Sequence, residues 1–450
     1  MERTLIKDLQ KHIGEEVNIG AVVDVVRLQG KVAFFDFRDR TSVIQGVVFG
    51  KPDLLESAKE VSEETSLMVT GIVNERPEKM VNDKVQNGDI ELEITGIKIL
   101  NKSEALPFAN ESELNLDTLL DNRPLTLRRK RERAIFKIQT TIVQAYRSFL
   151  TNEDFVEFQA PKLVGGDAEG GAEVFKVDYF YDQKAYLATS PQLYKQIMVG
   201  VFERVFSTGS TFRAEKSATT RHMSEIAMLD FEMGFIENYQ DVMDLVTKLM
   251  RHITKSVSES CADELNLLGV DVALAPETFP TFTLREAQNL IKKETGVDKT
   301  NEPDLEPEDE RWLCEYAARE LGSDFVFITQ FPTSKRPFYT YLNQDDEEYT
   351  DSFDLLFRGL EMCSGGQREH RYEKLTERMK EKGLDPEKFE FYLQAFRYGL
   401  PPHGGIGMGL ERLTMKYCGL DSVKEATLFP RDMNRIDTLL DKNKNSDKED

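Results

Sequence analysis

The chain has 450 residues, 40% of them hydrophobic and 31% charged, with a formal net charge of −22. That composition suits ordinary globular folding, and its acidic excess argues against a general nucleic-acid binder, DNA included, without excluding one with local basic surfaces. No apolar run approaches the roughly 20 residues of a membrane span, and the N-terminal MERTLIKDLQKHIGEEV has no signal-peptide core, so a cytoplasmic protein with no membrane partner is expected. The cysteines, Cys261, Cys314, Cys363 and Cys418, lack paired metal-ligand spacing and argue against a zinc site or disulfide framework.

Between residues 17 and 100, VNIGAVVDVV, KVAFFDFRD, TSVIQGVVF, SLMVTGIV and IELEITGIKIL are short runs rich in Val, Ile and Phe, separated by polar turns. Five such runs suit a small Greek-key barrel of the OB type. A polar stretch, 101–115, reads as a hinge. The segment DNRPLTLRRKRER, 121–133, is basic against the acidic background, and such a run alone is more often a solvated face than a binding site. From Arg133 the period changes: Ile135, Ile138, Ile142, Tyr146 and Phe149 recur at three- and four-residue steps and predict an amphipathic helix ending near Asn152. Strands and helices then alternate to about residue 436. EPDLEPEDE, 302–310, predicts an exposed loop and a helix start, and DKNKNSDKED at the end predicts a disordered tail.

Three later clusters set an arginine beside small or acidic residues. The first is FRAE at 212–215 with KSATTRH and EIAMLDFEMGF; the second runs from Phe353 to Arg368; the third is PPHGG at 401–405 with GMGLER at 407–412. Singly, each has a bland reading. Arg213 and Glu215 could be an ion pair on one face of a strand, and the glycines of 404–409 a turn and a bulge.

In this order and spacing the clusters resemble the three signature motifs of class II aminoacyl-tRNA synthetases. The helix leading to Pro161 resembles motif 1, FRAE with its loop and strand motif 2, and GMGLER motif 3. The resemblance extends from the barrel to FPRD at 429–432. LATSPQLYKQIM, FDLLFRGLEMCSGGQREHRY and PPHGGIGMGLER bring it closest to the archaeal type of aspartyl-tRNA synthetase.

The resemblance implies an α+β protein: an OB-fold anticodon-binding barrel over 1–101, a hinge over 102–132, a class II catalytic domain of antiparallel sheet and flanking helices over 133–436, and a disordered tail over 437–450. It implies ATP-dependent activation of aspartate and its transfer to tRNA(Asp), with Mg²⁺ and a homodimer joined through motif 1.

It also implies site residues. Arg213 and Arg412 hold the α- and γ-phosphates of a bent ATP, a task suited to the planar fork of arginine. Glu215, Arg221 and His222 line the same nucleotide site, and Gly407 and Gly409 let backbone approach it closely. Glu361 and Ser364 are the Mg²⁺ ligands. Lys195 and Arg368 face the aspartate carboxylate, Glu169, Gln192 and Asp230 surround the α-ammonium and pocket wall, and Ser190 with loop 165–173 forms a lid. On the barrel, Phe34 stacks on an anticodon base while Gln45 and Glu91 hydrogen-bond. Alternation independently puts Phe35 and Phe37 on one face and Phe34 on the other.

The chain departs from the archaeal pattern in the strand IGAVVDVV, where Asp24 stands at a position commonly held by tryptophan. That leaves open whether tRNA(Asn) is charged as well as tRNA(Asp); the reading leans to the relaxed form. The alternative is an asparaginyl-tRNA synthetase of the same architecture, against which Lys195 and SGGQ at 364–367 argue.

Overall fold

The computed structural model describes residues 2–82, 85–109, 112–166, 173–216 and 219–440. Most of the expected tail, 441–450, therefore lies outside the described residues. The chain divides into two compact units, Met1–Glu113 and Leu114–Asp450.

In the first unit, β1 (Glu16–Gln29), β2 (Val32–Arg38), β3 (Val43–Phe49), helix α1 (Pro52–Lys59), β4 (Ser66–Glu75) and β5 (Ile90–Asn101) follow one another. The strands close into a barrel in the order β1-β2-β3-β5-β4. Period-2 alternation builds it: Ala33, Phe35 and Phe37 from β2, Ile44 and Val48 from β3, and Ile90, Leu92 and Ile94 from β5 all enter one core. The β1–β2 register slips between Val23 and Val25, so Asp24 sits in a β-bulge. Its carboxylate is 2.6 Å from Arg38, which also holds Glu64 at 2.8 Å. An aromatic ring in the family pattern is thus replaced here by a buried ionic cluster.

The second unit opens with α2 (Leu116–Asp121) and α3 (Arg123–Thr126). They correct the expectation of a hinge reaching residue 132. Leu119 and Leu120 are buried, and the Arg123 guanidinium, also buried, donates to the carbonyl oxygens of Glu425, Thr427 and Leu428. Arg123 is thus an internal fastening, whereas Arg128, Lys130 and Arg131 of the same run are exposed, as a solvated face requires. Helix α4 (Lys130–Asn152) buries Ile135, Ile138, Ile142, Tyr146 and Leu150 along one stripe. Phe149 packs at its margin.

Then come β6 (Val156–Glu157), β7 (Leu163–Val164), β8 (Lys176–Asp178), β9 (Lys184–Leu187), α5 (Gln192–Phe202), β10 (Arg204–Phe212) and β11 (Glu225–Gly234). Helices α6 (Tyr239–Ser260) and α7 (Ala262–Leu268) precede β12 (Thr281–Thr283), α8 (Leu284–Thr295) and α9 (Pro307–Leu321). The acidic run at 302–310 does start a helix: Glu306 and Asp309 form the capping box of α9. The chain finishes with β13 (Phe325–Thr329), β14 (Ser352–Phe357), β15 (Leu360–Arg368), α10 (Tyr372–Glu381), α11 (Glu390–Arg397), β16 (His403–Gly409) and α12 (Leu410–Tyr417).

Eight of these strands form one sheet in the order β12-β13-β14-β15-β16-β11-β10-β6. Its interior pairs are antiparallel, and only the edge pairs β12–β13 and β6–β10 are parallel. Apolar residues of α4 and α6 join one face of the sheet in the main core. The glycine run 404–407 lies inside the central strand β16 rather than in a turn. At Gly405 the reason is close approach: an added Cβ would fall 2.1 Å from the Phe231 carbonyl oxygen and 2.3 Å from the Glu232 carboxylate.

Candidate active site

The central strands β11, β16 and β15 place motif 2, motif 3 and the second arginine cluster side by side, although they lie far apart in sequence. A cavity of about 340 Å³ opens over them. Its lining includes Ser190, Gln192, Arg213, Glu215, Arg221, His222, Asp230, Glu361, Ser364, Arg368, Gly407, Gly409 and Arg412. Nearly every residue expected in the catalytic site is therefore brought to one cavity. Two are not among them. Glu169, with residues 167–172 of the expected lid, lies outside the described residues. Lys195 is sealed beneath the floor, 1% exposed.

At one end, Arg213, Glu215, Arg221 and His222 come from the segment after β10, and Arg412 comes from the first turn of α12. Arg213 and Glu215 lie beyond the end of β10 rather than on a strand, which removes the ion-pair-on-a-strand reading. Arg412 reaches the carbonyl oxygen of Glu361 at 3.3 Å and its carboxylate at 3.9 Å. Arg221 is held 3.3 Å from Glu310 on α9, a partner the sequence did not suggest. Burial and the nearby Arg412 lower the His222 imidazole below its usual value, so it is neutral at pH 7 and adds no charge. Arg213, a loosely held Arg412 and a neutral ring suit a polyanion.

At the other end a buried layer holds Lys195, Asp230, Glu232 and Arg368. Lys195 Nζ donates to Asp230 Oδ1 at 2.9 Å and to the Ile406 carbonyl oxygen at 2.7 Å, and lies 3.5 Å from Glu232. Arg368 donates through Nε to Glu232 at 2.8 Å and through Nη2 to the Gly405 carbonyl oxygen at 2.9 Å, which leaves Nη1 for a ligand. This modifies the expectation of two cations facing one carboxylate. Each already has a carboxylate of the protein, and only Arg368 reaches the cavity. Glu232 was missed, yet LDFEMGF carried the signal, because residues two apart on a strand share a face. Burial raises the Asp230 carboxyl, while Arg368 and Lys195 outweigh burial at Glu232 and lower it.

The two expected Mg²⁺ ligands meet, with Ser364 Oγ donating to Glu361 Oε1 at 2.8 Å. Asp354 on β14 joins them: it is 2.9 Å from Arg336, and its buried Oδ1 has no hydrogen-bond partner among the described residues. Burial, and to a lesser degree Glu361, raise this carboxyl to about 6. Among the described residues no three His, Cys, Asp or Glu side chains surround one point. A hard divalent ion fits this oxygen set when phosphate oxygens complete its shell, as Mg²⁺ ordinarily requires.

On the barrel, Phe34 is half-buried while Phe35 and Phe37 are sealed in the core. Gln45 and Glu91 are likewise on the non-core side of β3 and β5. The three side chains therefore lie on consecutive strands, and Glu91 is 3.8 Å from Arg76.

Residues 115–433 match the family described as tRNA synthetases class II (D, K and N), and residues 17–100 match the OB-fold nucleic acid binding domain. The chain belongs to this family of class II tRNA synthetases. It is 44% identical to the aspartate–tRNA(Asp/Asn) ligase of Thermus thermophilus, over 96% of this chain and 99% of that one. It is 38% identical to the aspartate–tRNA(Asp) ligase of Pyrococcus furiosus, over 94% and 96%. Within the family its place is with the aspartate–tRNA ligases. The fold alone is less selective: asparaginyl-tRNA synthetase from Pyrococcus horikoshii, complexed with asparaginyl-adenylate, superposes with a TM-score of 0.88 at 30% identity, over 97% of this chain and 99% of that one.

Proposed function

We propose that this cavity adenylates L-aspartate with ATP and passes the aspartyl group to tRNA(Asp), and to tRNA(Asn) as well. The observation that carries the reading is the single cavity lined by Arg213, Arg221 and Arg412 at one end and by Gln192, Asp230 and Arg368 at the other.

In the first step the α-carboxylate of aspartate attacks the α-phosphorus of ATP and pyrophosphate leaves. No enzyme nucleophile is consumed, so the side chains act by position and charge. Arg213 neutralises the α-phosphate as the attacking oxygen arrives, and Arg412 holds the γ-phosphate so that the leaving group lies opposite. Glu361 and Ser364, with Asp354 beside them, are the residues to hold Mg²⁺; when bound, it offsets charge on the phosphate oxygens. Asp230 Oδ2, buried with no hydrogen-bond partner among the described residues, suits the substrate ammonium. Arg368 Nη1 suits the side-chain carboxylate.

Aspartate selection does not rest on two unpaired cations, because Asp230 and Glu232 neutralise Lys195 and Arg368. It rests on the Arg368 edge left for a ligand, which a carboxylate satisfies more fully than a neutral amide. In the second step the terminal 3′-hydroxyl of the tRNA attacks the aspartyl carbonyl, and AMP leaves. The barrel face with Phe34, Gln45 and Glu91 reads the anticodon, and α4 with β6 joins two copies.

Charging of tRNA(Asn) is supported by Asp24, whose carboxylate is drawn to Arg38 and offers no stacking surface, and by the Thermus relative, whose name carries both tRNAs. The test is charging of purified tRNA(Asp) and tRNA(Asn), each offered with aspartate and with asparagine. Aspartate on both supports the proposal. Aspartate on tRNA(Asp) alone removes the second tRNA, and asparagine on tRNA(Asn) overturns the amino-acid assignment.

A further inference from the structure

Behind the amino-acid end of the cavity, a row of uncharged polar side chains links β16 to α5. His403, fully buried, has Nδ1 2.8 Å from the Pro401 carbonyl oxygen and Nε2 2.9 Å from the Gln196 amide. A carbonyl only accepts, so Nδ1 carries the proton. Burial holds the imidazole down at about 4, against the pull of Glu232; the ring is neutral and Nε2 accepts. The Gln196 atom facing it is then the amide nitrogen. Its oxygen is the acceptor at the far end, and two groups reach it: the Tyr392 hydroxyl at 3.1 Å and the Gln192 amide nitrogen at 3.1 Å. The orientation of both amides, which atomic positions alone leave interchangeable, follows from the tautomer of one ring.

We propose that His403 and Gln196 are positioning residues that fix the polarity of Gln192, so that it presents its oxygen, not its N–H, to the substrate's ammonium. The proposal rests on the aspartate reading of this end of the cavity. Gln192 lines the cavity, and with its nitrogen turned to Gln196 its oxygen is the end of the amide that points away from the row and can accept from a ligand. A row running the other way would turn an N–H toward the ammonium, donor against donor. Asp230 Oδ2 supplies a second acceptor on the same wall.

The test is ATP–pyrophosphate exchange at varied L-aspartate, with succinate, which lacks the amine, as a competitive inhibitor. Gln196→Met, close in volume but without polar atoms, raises the KM for aspartate about tenfold or more. The KM for ATP and the inhibition by succinate stay at wild-type values. His403→Leu behaves the same way, and His403→Gln restores the KM because its Oε1 can accept where Nε2 did. Should His403→Leu fail to fold, Gln196→Met and His403→Gln carry the test. An unchanged aspartate KM in Gln196→Met overturns the proposal, as does equal weakening of aspartate and succinate. Gln192→Ala separates the two levels: no effect there overturns the pocket reading itself, whereas an effect there without one in Gln196→Met overturns only the positioning row.

Discussion

Lys195 Nζ meets Asp230 Oδ1 at 2.9 Å in a layer where the two side chains are 1% and 3% exposed. Neither charge has water to turn to, so each depends on the other and on the neighbouring Glu232–Arg368 pair. Removing one partner leaves an uncompensated buried charge, a loss of roughly 3–5 kcal/mol. Lys195→Met is expected to lower stability by that order in urea unfolding. The double variant Lys195→Met/Asp230→Asn should regain part of the stability while remaining inactive in aspartate-dependent pyrophosphate exchange. A double variant no more stable than the single one would show that the two groups are not coupled.

Arg213 and Arg412 are in a different situation. Arg412 makes one long bond to the Glu361 carbonyl and a 3.9 Å ion pair with its carboxylate, and among the described residues only a backbone bond to Ser224 is found for Arg213. Replacing either with alanine should cost little stability and remove charge stabilisation where it develops. Losses of about 10²–10³ in exchange rate or more are expected, with melting temperature near wild type. Preserved exchange in either variant would remove that arginine from the phosphate site.

Glu411, beside Arg412 on α12, accepts the Ala227 N–H through both oxygens at 3.0 and 3.1 Å. Burial raises its carboxyl from 4.5 to about 7. The folded chain thus binds this proton more tightly than the unfolded one. The associated stability is full below pH 4.5 and lost as pH rises through 7. Glu411→Gln should be more stable than wild type at pH 8 by on the order of 2–3 kcal/mol, and nearly equal to it near pH 4.5. Urea titrations at both pH values check the sign, and parallel curves would refute it.

On the barrel, Phe34→Ala removes an aromatic face without opening the core formed by Phe35 and Phe37. Base stacking on such a ring contributes about 1–3 kcal/mol. The KM for tRNA should rise accordingly, with exchange in the absence of tRNA unchanged. Equal tRNA kinetics would assign the ring to packing.

Much of this was legible in the sequence because the physics was local or periodic. Alternation separated Phe34 from Phe35 and Phe37, the three- and four-residue step gave α4, and the order of FRAE and GMGLER gave the site. What escaped depended on partners distant in the chain. Glu232 follows from alternation, yet its pairing with Arg368 requires β11 and β15 to flank β16. Glu310 reaches Arg221 only when α9 packs beside the site, and Arg123 finds its carbonyl partners about 300 residues later. The short helices at 116–126 were read as a hinge because their polar surroundings masked Leu119 and Leu120.

The position of β16 also bears on how the chain reaches its native state. This strand is the last of the eight in chain order, yet it enters the middle of the sheet, between strands that begin at residues 225 and 360. Until it does, Arg412 has no fixed place, Lys195 lacks the Ile406 carbonyl, and Asp230 faces an open groove. Pairings of such long sequence separation form slowly because loop closure precedes any reward. During refolding, helical signal should recover ahead of competence to bind ATP. A ribosome-bound chain that has not yet released β16 would be a structured but inert precursor.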